Sequence, residues 1–590
     1  MKEFFKYTLA TITGLVVTGV IVALIGAMSI AGMVASSEAT QNVEDNSVLV
    51  LNLSGVIDEQ GQNNIVGRLT GNSANKLGLD QILSAIRKAK TNNDIKGIYI
   101  EAGAAESGYA TLQEIRNALL DFKKSKKWII AYADSYGQDA YYVASVADEI
   151  YINPKGMIDW HGLATQPMFY KDLMAKFGVR YQIVKVGTYK SYTETYTENK
   201  MTDANREQVS VFLNGLWGNI CKAVADSRHI STDSLNAYAD RMIMFEPTEN
   251  LKQAKLVDGL KYADEMKQYI KQKLGLKDDE HVCQVSVSAM QNVKEPAAKG
   301  DAIAVYYAYG TIVQNGTTSQ LAKGHNIVAQ DVCKDLEDLA NDDDIKAVVI
   351  RINSGGGDAY ASEQLWHQIT KLKAKKPVVI SMGDYAASGA YYMSCNANWI
   401  VAQPNTLTGS IGIFAAIPDL SGLVTQKLGV HFDEVKTNRN STFGSIIARP
   451  FSDEEIAYLQ GYVNRGYFLF RQRVADGRRQ PVAAIEKVAQ GRVWLGNDAI
   501  KIKLVDQLGS LDDAIAKAAS LAKLEKYHTD NYPAGGNWME QIMSGTTRQS
   551  YLDDQLRATL GDLYQPFSLL KNIDRREVLQ ARVPFVLNMN

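Results

Sequence analysis

Ser388 stands in the stretch GDYAASGAYYMSCNA (residues 383–397), between small residues and just before a run with helical character. No histidine lies near it. Upstream, NSGGGDAYASEQ (353–364) sets three consecutive glycines after the apolar run AVVIRI (347–352). Glycines at the end of a strand let the backbone approach a ligand closely, and their N–H groups can converge on an anion. A serine where a helix begins offers an exposed hydroxyl, and the next N–H has no partner within the helix. A serine and two N–H donors from separate turns can attack a carbonyl and hold the resulting oxyanion. Each feature also has a plainer reading, because glycine-rich turns after strands are common and a serine at a helix start is more often a cap. A histidine base finds no support: His161, His367 and His431 fall in the repeated units described below, where His161 reads as packing and His367 as part of an amphipathic helix. The four cysteines, Cys221, Cys283, Cys333 and Cys395, lack metal-site spacing and read as free or buried thiols; an oxidising compartment would allow a disulfide, but nothing requires one. NSGGGD lacks the Lys-Ser/Thr of a nucleotide loop, so neither a metal nor another cofactor is expected. A net charge of −2 with no basic stripe argues against a nucleic-acid partner.

The elements around these residues occur twice. NDIKGIYI (93–100) returns as DDIKAVVI (343–350), and AYYVASVADEIYINP as AYYMSCNANWIVAQP, at one shift of 250 residues. VADSR (224–228) returns as VADGR (474–478), and KLVDGL as KLVDQL. The chain therefore divides into a first unit, 46–295, a second, 296–527, and a tail, 528–590. Each unit reads strand, helix, strand, helix. The short β-branched runs suit buried parallel strands, and their alternation with helices implies an α/β fold. At this shift Gln138 faces Ser388, so the first unit has the turn without the serine.

INSGGGDAYASEQ, PVVISMGDYAASGAYYMSCNANWIVAQPNTLTGSIGIF and GRVWLGNDAIKIKLVDQLGSLDDAI resemble, in order and spacing, the signature blocks of the signal peptide peptidase A family. The likeness is to its long, duplicated, membrane-anchored bacterial form, and it covers nearly the whole chain beyond the N-terminal segment. It implies two tandem domains of the Clp protease and crotonase fold group, a spiral of ββα units. It implies a serine endopeptidase that degrades signal peptides left in the membrane, assembled as a homotetramer that admits only extended apolar chains. The family nucleophile maps to Ser388. The family base is a lysine in the first unit, and VKVGTYKSYTE gives Lys190. FGVRYQIVK aligns with LGVHFDEVK at a shift of 251, which sets Ser441 opposite Lys190, so neither unit holds both members of the dyad. The serine of TGSIG, Ser410, would orient the lysine, and the N–H groups of Gly356 and Gly389 would form the oxyanion hole. Where the family has SPGGS this chain has SGGGD, with Gly355 in place of proline and Asp358 adding a carboxylate beside the loop. A lysine base must be neutral. Its ordinary pKa of about 10.4 therefore has to fall by roughly 3 for work near pH 7, and desolvation, supplied by a pocket that closes over an apolar substrate, is the expected cause. Two rivals are a crotonase-type acyl-CoA enzyme, which needs no nucleophilic serine, and a non-catalytic membrane scaffold of the same fold.

No charged residue occurs between Lys6 and Glu38. Residues 8–36 exceed the ~20 apolar residues that span a bilayer and the ~7–15 of a signal-peptide core. They read as one transmembrane anchor after a cytoplasmic segment, 1–7, although VASSEA leaves a cleaved signal as the alternative. Lys2 and Lys6 put the N-terminus in the cytoplasm and both units outside it, on the periplasmic side of a bacterial inner membrane. In the tail, YLDDQLRATLGDLYQPFSLLKNI is amphipathic and suited to packing on a neighbour, capping an assembly or lying on the membrane.

Overall fold

The computed structural model describes residues 42–61, 77–293, 300–315, 325–533 and 580–582, with scattered residues between 6 and 21. The chain forms two α/β units in tandem. In the first, a parallel sheet runs in the order Leu77–Gly78, Ser47–Asp58, Ile95–Glu106, Trp128–Ala133, Glu149–Ile152, Gly259–Leu260, with Gln284–Ser286 beside Ser47–Asp58. In the second, Asp301–Tyr309, Ile345–Ser354, Val378–Ala387, Trp399–Ala402 and Gln507–Leu508 repeat the same neighbour relations, all parallel. Helices cover both faces of each sheet, which is why the strands read as continuous apolar runs. Leu79–Thr91 and Tyr109–Lys123 pack on one face of the first sheet and Ala263–Lys273 on the other. Ala329–Asn341, Ala359–Lys375 and Leu511–Ala522 do the same for the second. The duplication extends to the long helices Asp203–Arg228 and Asp453–Arg478, both 26 residues, each ended by a residue with left-handed backbone, His229 and Arg479.

Strand Tyr527–Tyr532 lies parallel to Asp301–Tyr309, so the second unit runs past residue 527 and takes in the start of the expected tail. It extends one edge of a largely buried sheet. A third, mixed sheet joins the units. Its order is Asn326–Val328, Thr311–Val313, Gly356–Asp358, Gln580–Arg582, Phe414–Asp419, Arg180–Lys185, and the last of these comes from the first unit. Arg180–Lys185 runs antiparallel to Phe414–Asp419 over six residue pairs, and through it the first unit reaches the second unit's functional loops.

Most of the expected span over 8–36 falls outside the described residues. Those described within it (8, 11, 13, 14, 17–19 and 21) are helical and exposed, and among the described residues no helix is long and apolar enough to cross a membrane. The amphipathic stretch 551–573 also lies outside them.

Candidate active site

Strand Val378–Ala387 ends against the helix Gly389–Ser394, and Ser388 forms the joint. Its backbone is in a region that side-chain-bearing residues seldom adopt, φ 57° and ψ −116°. The joint is held by the Ser388 N–H donating to Gly409 O at 2.8 Å and by the Tyr392 N–H donating to Ser388 O at 2.8 Å. Ser410, on the turn that accepts the first of these bonds, also has positive φ (50°), and its N–H donates to Arg492 O at 2.7 Å.

Lys190 arrives from the first unit. Its loop follows strand Arg180–Lys185 and docks on the second unit's turn at 489–491: the Tyr189 N–H donates to Gln490 O at 2.9 Å, and the Thr188 N–H to Gln490 Oε1 at 3.2 Å. Behind it, Gln208 of the long helix Asp203–Arg228 donates to Tyr189 O, and its Oε1 accepts the N–H of Val493. Ser191 donates to Asn205 Oδ1, and buried Glu194 accepts from Asn205 and Thr202. Lys190 is 0 % exposed. Its Nζ lies 2.7 Å from Ser388 Oγ, 3.0 Å from Ser410 Oγ and 3.2 Å from Ser410 O. Burial pushes its ammonium well below the ordinary lysine range. Residues of this chain supply the desolvation.

Sequence reasoning missed Gly412 and Gly491. A Cβ at Gly491 would come within 2.7 Å of the Lys190 backbone nitrogen and Cβ, and one at Gly412 within 3.3 Å of Lys190 Cδ. Both glycines make room for the lysine stem. GRVWLG was visible as a motif, but nothing in it points at a residue 301 positions upstream.

Other expectations fare variously. Ser388 is fully buried rather than exposed, because Lys190 and the Gly409–Ser410 turn close over it. Gly389 opens its helix, so its N–H has no intrahelical acceptor. Gly356 has φ +100°, open in effect only to glycine, and its N–H donates to Ser354 Oγ at 3.1 Å. The Asp358 carboxylate caps the helix Ala359–Lys375 by accepting the N–H of Ala361. His161 does not pack: it is partly exposed and beside Asp159 at 2.5 Å, because the loop at 161 faces solvent where its counterpart Ile411 is buried. Ser441 sits on an exposed turn and bonds to Asn438. The first unit's turn is not the same turn with glutamine in it. Gln138 is the first residue of the regular helix Gln138–Ala144, preceded by Gly137 with ordinary extended backbone. Its amide accepts from the N–H groups of His161 and Gly162 and donates to Gly162 O and Tyr109 Oη, filling the space with hydrogen bonds. The strain seen at Ser388 is absent from this turn. The four cysteines are free, and among the described residues no cluster has the makings of a metal site.

The model of "Peptidase family S49" matches residues 121–277 and 370–525, once in each unit. Protease 4 of Salmonella typhi is 36% identical over 515 residues, covering 85% of this chain and 82% of that protein. Protease 4 of Haemophilus influenzae is 32% identical over 498 residues (80% and 78%), and "Serine protease SPPA, chloroplastic" of Arabidopsis thaliana 32% over 489 (82% and 70%). Among solved structures, a ClpP1 variant from Listeria monocytogenes is 19% identical, covering 36% of this chain and 94% of that one at a TM-score of 0.23. With both units matched and relatives aligned over most of their length, the chain belongs to peptidase family S49 and is a serine protease of the signal peptide peptidase A type.

Proposed function

We propose that the protein hydrolyses peptide bonds with Ser388 as nucleophile and Lys190 as general base. The observation that carries this reading is the contact of 2.7 Å between a fully buried amine and the hydroxyl of a serine on a strained joint. Neutral Lys190 takes the Ser388 proton as Oγ attacks the carbonyl carbon. The oxyanion accepts from the N–H groups of Gly389 and Gly356, the latter exchanging its present acceptor, Ser354 Oγ. The Lys190 ammonium then gives its proton to the leaving amine, and water, deprotonated by the same lysine, releases the acyl group. Ser410 Oγ accepts from Nζ and fixes its direction.

The substrates are extended apolar peptides, signal peptides foremost. An apolar lining supports this: the Phe414 ring centroid is 6.0 Å from Lys190 Nζ, and Tyr192 packs on Phe414 at 5.2 Å. Residues 8–36 anchor the chain in a bacterial inner membrane, with both units on the periplasmic side, supported by the uncharged run and the lysines before it. Each unit continues the ββα spiral of the Clp protease and crotonase group, supported by the repeated parallel sheet order. A homotetramer is supported by the exposed apolar side chains Met168, Leu173, Phe177, Leu428, Phe432 and Val435.

The test uses detergent-extracted full-length chain, a serine-directed covalent probe and a signal-peptide substrate. Ser388→Ala and Lys190→Ala are each expected to lower kcat by about three orders of magnitude or more, and Ser388→Ala to abolish labelling. Wild-type turnover in Lys190→Ala would overturn the dyad.

A further inference from the structure

The long helix Asp203–Arg228 belongs to the first unit, yet one of its faces is buried against the second. Val209, Phe212 and Leu216 pack with Leu407, Val493, Leu495 and Ala387, the last of these directly before Ser388. One turn before Phe212 stands Gln208, which is 1 % exposed. Its amide joins the two halves of the site. Nε2 donates to Tyr189 O at 3.0 Å and to Ser191 Oγ at 3.1 Å, the residues on either side of Lys190, and reaches Asn205 Oδ1 at 3.2 Å. Oε1 accepts the N–H of Val493 at 3.2 Å. Val493 lies opposite Gly409 in an antiparallel pair, and Gly409 O is the acceptor of the Ser388 N–H. One side chain therefore ties the main chain on both sides of the lysine to the strand that holds the serine's joint. A glutamine suits this task because one planar group carries both donors and an acceptor. The repeat sharpens the point. At the shift of 250, the second unit's helix Asp453–Arg478 has Tyr458 and Tyr462 where the first has Gln208 and Phe212, and these tyrosines are 51% and 49% exposed. The buried amide belongs to the helix of the unit that supplies Lys190, and the other copy does not repeat it.

We propose that Gln208 is a positioning residue for the reaction, which sets the Lys190 amine against the Ser388 hydroxyl by bridging the lysine loop to strand Val493–Leu495. The proposal rests on the reading of Ser388 and Lys190 as the hydrolytic dyad. Neither Lys190 Nζ nor Ser388 Oγ is a partner of the Gln208 amide, so it acts through the backbone that carries them. Without the bridge the loop shifts against the strand, and a base displaced by a fraction of an ångström takes the serine proton more slowly. Gln208 lies behind the loop, so the loss falls on kcat and leaves peptide binding as it was.

Variants of the full-length, detergent-extracted protein test this. Gln208→Met keeps the length and bulk of the side chain and removes all four hydrogen bonds. With a short apolar fluorogenic peptide, kcat is expected to fall about tenfold to a hundredfold, with KM within about twofold of wild type. A serine-directed covalent probe should label Ser388 to the same final extent at a rate reduced in parallel, which separates a displaced base from a misfolded fraction. Gln208→Asn keeps an amide one methylene shorter, unable to span both units, and is expected to behave alike; it carries the test if the methionine variant does not fold. Asn219→Ala is the control. Asn219 stands about 16 Å further along the same helix and bonds to Asn405 and Asn497 of the second unit, so its loss loosens the same interface away from the dyad. Its kcat should stay within about twofold of wild type, whatever it costs in Tm. Wild-type kcat in Gln208→Met or Gln208→Asn, or an equal fall in Asn219→Ala, overturns the proposal. Lys190→Ala separates the two failures. If it is inactive while the Gln208 variants are unimpaired, the dyad stands and Gln208 does not position it. If it turns over at the wild-type rate, the dyad reading is wrong and the proposal falls with it.

Discussion

At the residue scale, the proposed chemistry turns on the charge state of Lys190. Among the described residues its hydrogen-bond partners are two serine hydroxyls and a carbonyl, none of them a carboxylate that would hold a proton on it, and burial drives its pKa well below the lysine range. Between that lowered pKa and the ordinary ~10.4, the folded protein binds fewer protons than the unfolded chain. Stability therefore rises with pH across this window. Lys190→Met removes the burial penalty. It is expected to abolish turnover yet raise Tm at pH 7, with the gain shrinking toward pH 10, and thermal unfolding at both pH values checks it. A gain that persists undiminished at pH 10 would mean that Lys190 is not neutral in the native state. In the wild type, kcat/KM should climb about tenfold per pH unit below the lowered pKa and level off above it, as expected for a base that acts only when deprotonated. A profile flat down to the onset of acid unfolding contradicts the assignment. Ser388 was legible as a candidate from its small neighbours, whereas its buried hydroxyl and positive φ were not. Both arise from the loops that close on it.

At the element scale, the site depends on how the Lys190 loop docks against the turn carrying Gln490 and Gly491. Gly491 has φ +76°, and an added Cβ would strike the Lys190 main chain, which cannot give way as a flexible side-chain tip could. Gly491→Ala should displace the amine by a fraction of an ångström or more. Kcat is expected to fall about a hundredfold, with probe labelling slowed in parallel and the folded far-UV spectrum retained. A rate within twofold of wild type would show that the loop adjusts freely. The strands and helices were readable because the buried parallel runs and helical periodicities are local signals repeated at one shift. The third sheet was not, since none of its short strands carries a pattern of its own. The glycine strand Gly356–Asp358 reads as a loop until its partners are known.

At the scale of the whole molecule, a buried ionic cluster fixes one unit against the other. Arg351, fully buried, donates to Glu59 at 2.9 Å and to Glu114 at 3.0 Å, both from the first unit. Burial alone would lower the Arg351 pKa, but the two carboxylates outweigh it and hold the guanidinium charged. Asp384 accepts from the N–H groups of Ala110 and Thr111 and caps a first-unit helix. Arg351 lies three residues before Ser354 and Asp384 four before Ser388, so the strands that end in the site are tied to the other unit just upstream of it. Arg351→Met leaves two buried carboxylates without a cation and is expected to cost about 3–5 kcal/mol, read by denaturant unfolding. Adding Glu59→Gln and Glu114→Gln should restore most of it. A loss below about 1 kcal/mol would mean that the carboxylates are solvated or neutral.

The sequence by itself determined the two-unit α/β plan and the division of Ser388 and Lys190 between the units. These are carried by local runs, by periodicity, by a repeat at constant shift and by motifs in fixed order. Only the tertiary structure decided that a lysine 198 residues from the serine is dry and within hydrogen-bond reach of it, that Gln138 seals the corresponding place in the first unit, and that a strand from the tail lies beside Gly356. Desolvation, close approach and strand pairing depend on distances across the fold, and residues far apart in sequence carry no local mark of the partner they will meet.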